Sequence, residues 1–407
     1  MTPDSGAETK QGRQAERRRK QFKKRLRRPW LIFRHRMRRY LLEPAATRAT
    51  GLRDFGDDYY ATGLDTLLDS LRDAELTFLG RMITQRAVVL GLKQRLLITE
   101  MRKRRPEFFT GTITPPIIVT GLPRTGTTLL HRLLAEDPEL RAPTLGELVS
   151  SARPSTGLSY HFDRMRLGIE LYALRRFTPN LDAMHLSGTD MPEECIFALN
   201  LSFRSMLFWT LAPCYSYMDW YSRASRGQKY RDYRDILLLL QSHSPGRRLV
   251  LKAPDHLGSL AELFTVVPEA MLVVCHRPAA EAVTSFNSLT HALHQAVSSA
   301  PDPLKIGDTN LRYFEGETRR YVEARKTWAH RILEVDYAEL AADPLAVVRR
   351  IYGRAGLPFT PDLERRFAAF MAANPKNKLG RHSYDASDFG QSEAMIAGRL
   401  AHYAIAR

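Results

Sequence analysis

The chain has 407 residues, of which 44% are hydrophobic and 26% charged, with a formal net charge of +17. That composition belongs to a soluble globular protein with a large core and one or two domains. It argues against a membrane-spanning chain, because apolar runs such as Ile236–Leu240 are far too short to cross a bilayer. It also argues against a disulfide scaffold or a cysteine metal centre, because Cys195, Cys214 and Cys275 are scattered.

The charge is concentrated at the N-terminus. Residues 1–40 hold 15 Lys and Arg against 3 Asp and Glu, a balance of +12, which leaves +5 for the other 367 residues. No apolar h-region follows these charges, so a signal peptide is not expected and a reducing cytoplasm is. Residues 1–45 read as a basic arm with three competing roles. One is a solvated, disordered tail. The second is an anchor on an anionic membrane surface through residues 10–42, where Trp30, Leu31, Ile32 and Phe33 interrupt the basic run. The third is non-specific attraction to nucleic acid, ranked last because no base-reading module accompanies the arm. A cytoplasmic protein, peripheral at the inner membrane face in the anchor reading, is the matching location.

Residues 46–110 carry apolar positions at three- and four-residue spacing and read as helices packed on the main domain. From residue 111 the pattern becomes α/β. "PPIIVTGLPRTGTTLLHRLLAEDP" (Pro115–Pro138) joins a short buried strand, a glycine-bearing turn and a helix. Further buried-strand candidates are Arg247–Pro254, Ala270–Pro278 and Arg331–Tyr337. Alternation of such strands with helices implies a three-layer α/β domain with a parallel sheet. Residues 155–245 form a helical insertion between the first strand and the next. Its Tyr160, Phe177, Phe203, Phe208, Trp209, Tyr215, Tyr217, Trp220 and Tyr221 are candidates for an acceptor pocket, with core packing as the competing role.

Gly121-x4-Gly126-Thr127-Thr128 has the spacing of a phosphate-binding loop, in which backbone N–H groups and a helix N-terminus cradle an anion. The lysine that grips the β- and γ-phosphates of a nucleoside triphosphate is replaced by Thr127, and the strand before His276–Arg277 ends without a carboxylate for Mg²⁺. A monophosphate-like group with help from Arg124 is the expected ligand, and an ATP-dependent kinase is the weaker alternative. A second anion site is readable in "CHRPAAEAVTS", where Arg277 and Ser285 are eight residues apart, a little over two helical turns, and share a face.

These motifs, with "LKAPDHL" (Leu251–Leu257), "DMPEE" (Asp190–Glu194) and "HSYDASDFG" (His382–Gly390), resemble sulfotransferases that use 3′-phosphoadenosine 5′-phosphosulfate (PAPS), in particular a bacterial branch. The resemblance spans roughly residues 80–400. It implies a P-loop-like fold and transfer of a sulfuryl group from PAPS to a hydroxyl of a small or lipid-like acceptor, without a required metal. It implies that Arg124, Thr125, Gly126, Thr127 and Thr128 hold the 5′-phosphosulfate and that Arg277 and Ser285 hold the 3′-phosphate. Lys378, Gly380 and His382 fall where a late basic loop closes over the nucleotide in related enzymes, although "KLGRHSY" fits that pattern only loosely. Lys252 with Arg124 is expected to stabilise the leaving oxygen. Two bases remain open. Glu147 stands where relatives place a glutamate, here after Gly146 where the branch commonly has tryptophan. His256 is the rival, by analogy with a Lys-x-His arrangement. Asp190, Glu193, Glu194 and His185 are lesser candidates. A membrane-surface or nucleic-acid-binding protein with a vestigial nucleotide fold is the non-catalytic alternative.

Overall fold

Five short runs rich in branched aliphatic residues pair into a parallel sheet: β1 (Ile117–Gly121), β2 (Leu140–Arg141), β3 (Arg248–Lys252), β4 (Met271–His276) and β5 (Ile332–Asp336). The computed structural model describes residues 37–153, 157–177, 188–374 and 385–404. The strand order is β2-β3-β1-β4-β5, so β1 is central and its neighbours β3 and β4 arrive by long crossovers. Four of the strands follow the sequence pattern closely. The two-residue β2 carries no readable pattern of its own, and it moves the helical insertion to a place between β2 and β3.

The α-helices among the described residues are, in chain order, α1 (Arg39–Thr50), α2 (Tyr59–Ser70), α3 (Phe78–Arg104), α4 (Thr127–Leu134), α5 (Leu145–Val149), α6 (Leu158–Phe177), α7 (Met206–Leu211), α8 (Tyr215–Arg223), α9 (Gly227–Ser242), α10 (Leu260–Val266), α11 (Ala279–Val297), α12 (Pro303–Trp328), α13 (Tyr337–Ala342), α14 (Pro344–Ala355), α15 (Pro361–Ala373), α16 (Glu393–Arg399) and α17 (Ala401–Ala404). α1 begins inside the stretch assigned to the basic arm and buries Leu42 and Ala46, so residues 39–45 belong to the packed body. No helix among the described residues is long and apolar enough to cross a membrane.

Side chains alternate across the sheet and build two cores. Ile117, Val119, Val250, Val273 and Val335 face one way, against Leu130, Leu133 and Leu134 of α4, Val347, Val348 and Ile351 of α14, and Phe367 of α15. Ile118, Leu251, Leu272 and Val274 face the other way, into the larger helical half formed by α1–α3 and α7–α12. Five of the aromatic pocket candidates, Phe203, Phe208, Trp209, Tyr217 and Tyr221, are almost wholly buried in that half. Trp209 Nε1 donates to Asn310 Oδ1 at 2.8 Å, and Tyr217 donates its hydroxyl to the carbonyl of Phe203 at 2.9 Å.

A buried polar knot ties the loop after β3 to this half. Asp255 accepts from Tyr221 and Tyr313, each at 3.1 Å, from the Met206 N–H at 3.3 Å and from Lys229 at 3.4 Å. Burial alone would raise its pKa, but Lys229 and Arg226 outweigh burial and hold the carboxyl below its ordinary range. Beside it Arg226 makes a two-pronged ion pair with Glu317, at 2.8 and 2.5 Å, with both side chains almost wholly buried.

Three fully buried histidines each make one hydrogen bond: His131 Nε2 with the Val250 carbonyl (3.2 Å), His256 Nδ1 with the Tyr230 hydroxyl (2.9 Å) and His294 Nε2 with the Trp209 carbonyl (2.6 Å). The second ring nitrogen of each has no partner. Burial pushes their pKa values from 6.5 to about 3, about 3 and about 4 respectively. Because the folded values are depressed, the unfolded chain binds protons that the folded chain does not. Stability is therefore complete above pH 6.5 and falls as pH drops toward the folded values. Urea unfolding at about pH 5.5 should show a stability lower than at about pH 7.5 by roughly 1.4 kcal/mol per histidine, about 4 kcal/mol in all. Equal denaturation midpoints at the two pH values would show that these rings are not held neutral.

Candidate active site

The carboxyl ends of β1, β3, β4 and β5 converge on the turn between β1 and α4. Gly121 has φ +148°, and a Cβ there would stand 2.3 Å from the Cys275 carbonyl oxygen. Only glycine lets β1 end this close to β4. Arg124 (φ +70°) and Gly126 (φ +88°) both adopt the left-handed conformation, which curls the chain around the start of α4. The N–H groups of the first turn of α4 have no acceptor within the helix and face an anion-sized concavity. Arg124, Gly126, Thr127 and Thr128 line the cavity that opens there. Thr125 differs from the sequence expectation in one respect. It is fully buried, and its hydroxyl donates to the Leu122 carbonyl at 2.8 Å, so its side chain braces the turn and only its backbone is placed to meet a ligand.

The second anion site meets the first. Arg124 Nε donates to Ser285 Oγ at 3.2 Å, and Arg277 Nη1 donates to the Arg124 carbonyl at 3.1 Å. The Arg277 guanidinium lies 4.6 Å from the centre of the Tyr337 ring and bonds Glu281 through Nε (2.9 Å) and Nη2 (2.5 Å). Arg124, Arg277 and Ser285, up to 161 residues apart, are thus one cluster. Tyr337 and Leu340 of α13 close its floor, and a Cβ on Gly126 would stand 2.8 Å from Leu340. Nothing in the sequence marked Tyr337 beyond its place at the end of β5.

Lys252 ends β3, and its side chain is 2% exposed. Its ammonium donates to Thr128 Oγ1 at 3.2 Å and pairs with Glu194 Oε1. The positive charge missing at Thr127 therefore enters from the neighbouring strand. Glu193 and Glu194 both line the cavity, and Glu193 Oε1 accepts from the Glu194 N–H at 2.8 Å. The "DMPEE" element thus delivers a carboxylate to the lysine, a placement the sequence ranked low. Asp190 instead points away and pairs with Arg164 of α6, whose hydrogen bonds hold its pKa below the ordinary value.

The two expected bases lie elsewhere. Glu147 Oε2 accepts from the Thr144 N–H (2.9 Å) and hydroxyl (3.2 Å), and Oε1 accepts from Arg141 Nη2 (2.6 Å). With the Thr144 hydroxyl on the Glu147 N–H, this is a capping box at the start of α5. Leu145 and Val149, four residues apart on the opposite face, are the ones that reach the cavity. His256 is fully buried, and Pro254, two residues earlier, lines the cavity in its place. Burial, reinforced by the nearby Lys229 charge, drives its pKa to about 3, so it is a core histidine. Lys378, Gly380, His382 and His185 lie outside the described residues.

Beyond Glu194 the cavity, of about 490 Å³, turns apolar. Ile83, Ala87 and Leu90 of α3, Leu167 and Leu171 of α6, Leu207 and Leu211 of α7, and Phe286, Leu289 and Leu293 of α11 form its walls. Of the nine aromatic residues considered for this role, eight have described side chains, and none of these eight lines the cavity. The walls are mostly aliphatic, and α11 serves both ends, with Ser285 at the anion cluster and Phe286 in the apolar wall.

Comparison with known proteins agrees with this geometry. The family profile described as the sulfotransferase family matches residues 115–361. Curated relatives from Mycobacterium bovis and Mycobacterium tuberculosis, both called omega-hydroxy-beta-dihydromenaquinone-9 sulfotransferase Stf3, are 27% identical over 253 residues. That match covers 60% of this chain and 63% of each relative. Among solved structures, sulfotransferase STF1 from Mycobacterium tuberculosis superposes with a TM-score of 0.77 at 30% identity, covering 90% of this chain and 99% of that one. Sulfotransferase STF9 from Mycobacterium avium gives a TM-score of 0.78 at 26% identity, covering 91% and 96%. With the profile match extending over more than half of its length, the chain belongs to the sulfotransferase family.

Proposed function

We propose that this protein transfers a sulfuryl group from PAPS to the hydroxyl of a lipid-like acceptor, giving a sulfate ester and 3′,5′-adenosine bisphosphate. The observation that carries this reading is the Lys252–Glu194 pair, in which Glu194 lines a cavity with the anion cradle at one end and aliphatic walls at the other. The cradle suits a nucleotide with two separated phosphate groups. The first-turn N–H groups of α4, with Thr127 and Thr128, take the 5′-phosphosulfate. Arg277, Arg124 and Ser285 take the 3′-phosphate. The aliphatic wall suits an apolar chain that ends in a hydroxyl, in keeping with the menaquinone-derived acceptor named for the curated relatives.

The step then balances as follows. The acceptor oxygen bonds to sulfur while the bond from sulfur to the bridging 5′-phosphate oxygen breaks, and that electron pair leaves with the phosphate. Lys252 faces the departing oxygen, and its positive charge opposes the negative charge that develops there. Glu194 takes the proton of the acceptor hydroxyl. In the free protein Lys252 and Glu194 neutralise one another. A phosphosulfate beside Lys252 draws the ammonium toward itself and leaves the carboxylate available as a base. Glu147 and His256 have no part in this chemistry, because the first caps a helix and the second is sealed in the core.

Two experiments bear on this reading. Arg277→Ala should weaken binding of 3′,5′-adenosine bisphosphate by about 10- to 100-fold, the worth of a lost charge-assisted hydrogen bond, as read by calorimetry. Unchanged affinity, or tight binding of ATP that this bisphosphate cannot displace, would overturn the donor assignment and favour a kinase. Glu194→Gln should lower kcat by about 10²- to 10⁴-fold while donor affinity holds or tightens, whereas Glu147→Gln should lower the melting temperature and spare kcat. Full turnover by the Glu194 variant with a panel of apolar alcohols would remove Glu194 as the base.

A further inference from the structure

Helix α6 has two apolar faces, and among the described residues only one of them is covered. Leu167 and Leu171 line the cavity. On the outer side Leu158, Phe162, Met165, Ile169 and Tyr172 are 73, 59, 58, 62 and 72% exposed. Their spacing of four, three, four and three residues places all five in one stripe about 21 Å long. Single exposed apolar residues are ordinary on a protein surface, but a continuous stripe of five marks a contact surface. Ion pairs from Arg86 to Glu170 and from Lys93 to Asp163 show that α3 runs antiparallel to α6. That register carries Met82 and Phe78 of α3, each 55% exposed, toward the C-terminal end of the stripe.

The charges around the stripe select its occupant. The acidic residues of α6 turn to the body: Asp163 pairs with Lys93 and Arg153, and Glu170 with Arg86. Arg166, 3.8 Å from Glu170, is still 65% exposed, and Arg176 is exposed in the last turn. The chain ahead of Met37 adds 13 Lys and Arg against 3 Asp and Glu in residues 1–36. It enters the fold through α1, which packs on α3, the helix that α6 lies against. A second copy of this chain would bring the same cations against themselves. A lipid surface with anionic headgroups satisfies both the apolar stripe and the positive charge.

We propose that the outer face of α6 seats this protein on the surface of an anionic bilayer. The inner face of the same helix then forms the wall of the aliphatic cavity, so a hydroxyl-bearing lipid could pass from the bilayer to the cavity along one helix. Docking does not depend on the proposed reaction and is read without turnover.

The test uses the full chain and vesicles of phosphatidylcholine alone or mixed equally with phosphatidylglycerol, separated by flotation. The wild-type protein should float with the mixed vesicles. In high salt, which screens the basic N-terminal residues, the double variant Phe162→Ser, Ile169→Ser should lose about tenfold in bound fraction. Its melting temperature should hold, because both side chains are exposed, and so should its affinity for 3′,5′-adenosine bisphosphate, because neither residue is in the anion cradle. Vesicle binding equal to wild type would overturn the proposal. So would light scattering that shows a wild-type dimer turned to monomer by the two substitutions, since the stripe would then belong to a second copy.

Discussion

A lysine side chain with 2% of its surface exposed must have a counter-charge, and much of the site follows from that requirement. Lys252 finds Glu194 and the Thr128 hydroxyl. The loop ahead of α7 must therefore fold back over the end of β3, and the first turn of α4 must stand beside it. The arrangement keeps a cation within reach of a phosphate cradle whose own loop carries none at the usual position. It also holds Glu194, which lines the cavity, against the buried lysine.

Parts of this were legible in the sequence for physical reasons. Parallel strands covered on both faces read as unbroken aliphatic runs, and a glycine turn between strand and helix has few structural uses. Arg277 and Ser285 could be paired because a helix of known pitch separates them. Glu194 could not be paired with Lys252 in the same way. They are 58 positions apart in the chain, and only tertiary packing brings them together. Glu147 illustrates the opposite failure. Thr144-Leu-Gly-Glu147 is itself a readable capping signature, and capping is where the carboxylate goes. His256 stood in a well-matched motif, but a motif does not report burial, and here the motif fixes Asp255 at the centre of a buried knot. The aromatic residues of the insertion have two competing roles, pocket and core, and packing of large rings in the thick helical half takes Phe203, Phe208, Trp209, Tyr217 and Tyr221.

The two ends of the cavity differ in how they are built. The anion end uses the ends of four adjacent strands, braced by positive-φ turns and hydrogen bonds. The apolar end is made of aliphatic side chains on four separate helices, α3, α6, α7 and α11. Aliphatic walls discriminate weakly among chains of similar width, since one methylene changes binding by only about 1–3 kcal/mol. In the proposed reaction, selectivity for an acceptor would therefore rest on length and on the position of the hydroxyl relative to Glu194, more than on ring stacking.

The Glu281 carboxylate beside Arg277 has a further consequence. A bare guanidinium at the mouth of the cradle would attract any small anion in the cell. With Glu281 already engaged at two of its nitrogens, Arg277 exchanges partners only when the newcomer brings more charge and more acceptor oxygens than a carboxylate does. A phosphate monoester dianion meets that condition, and chloride does not. In the proposed reaction the paired glutamate would thus favour a phosphate monoester over singly charged anions at Arg277.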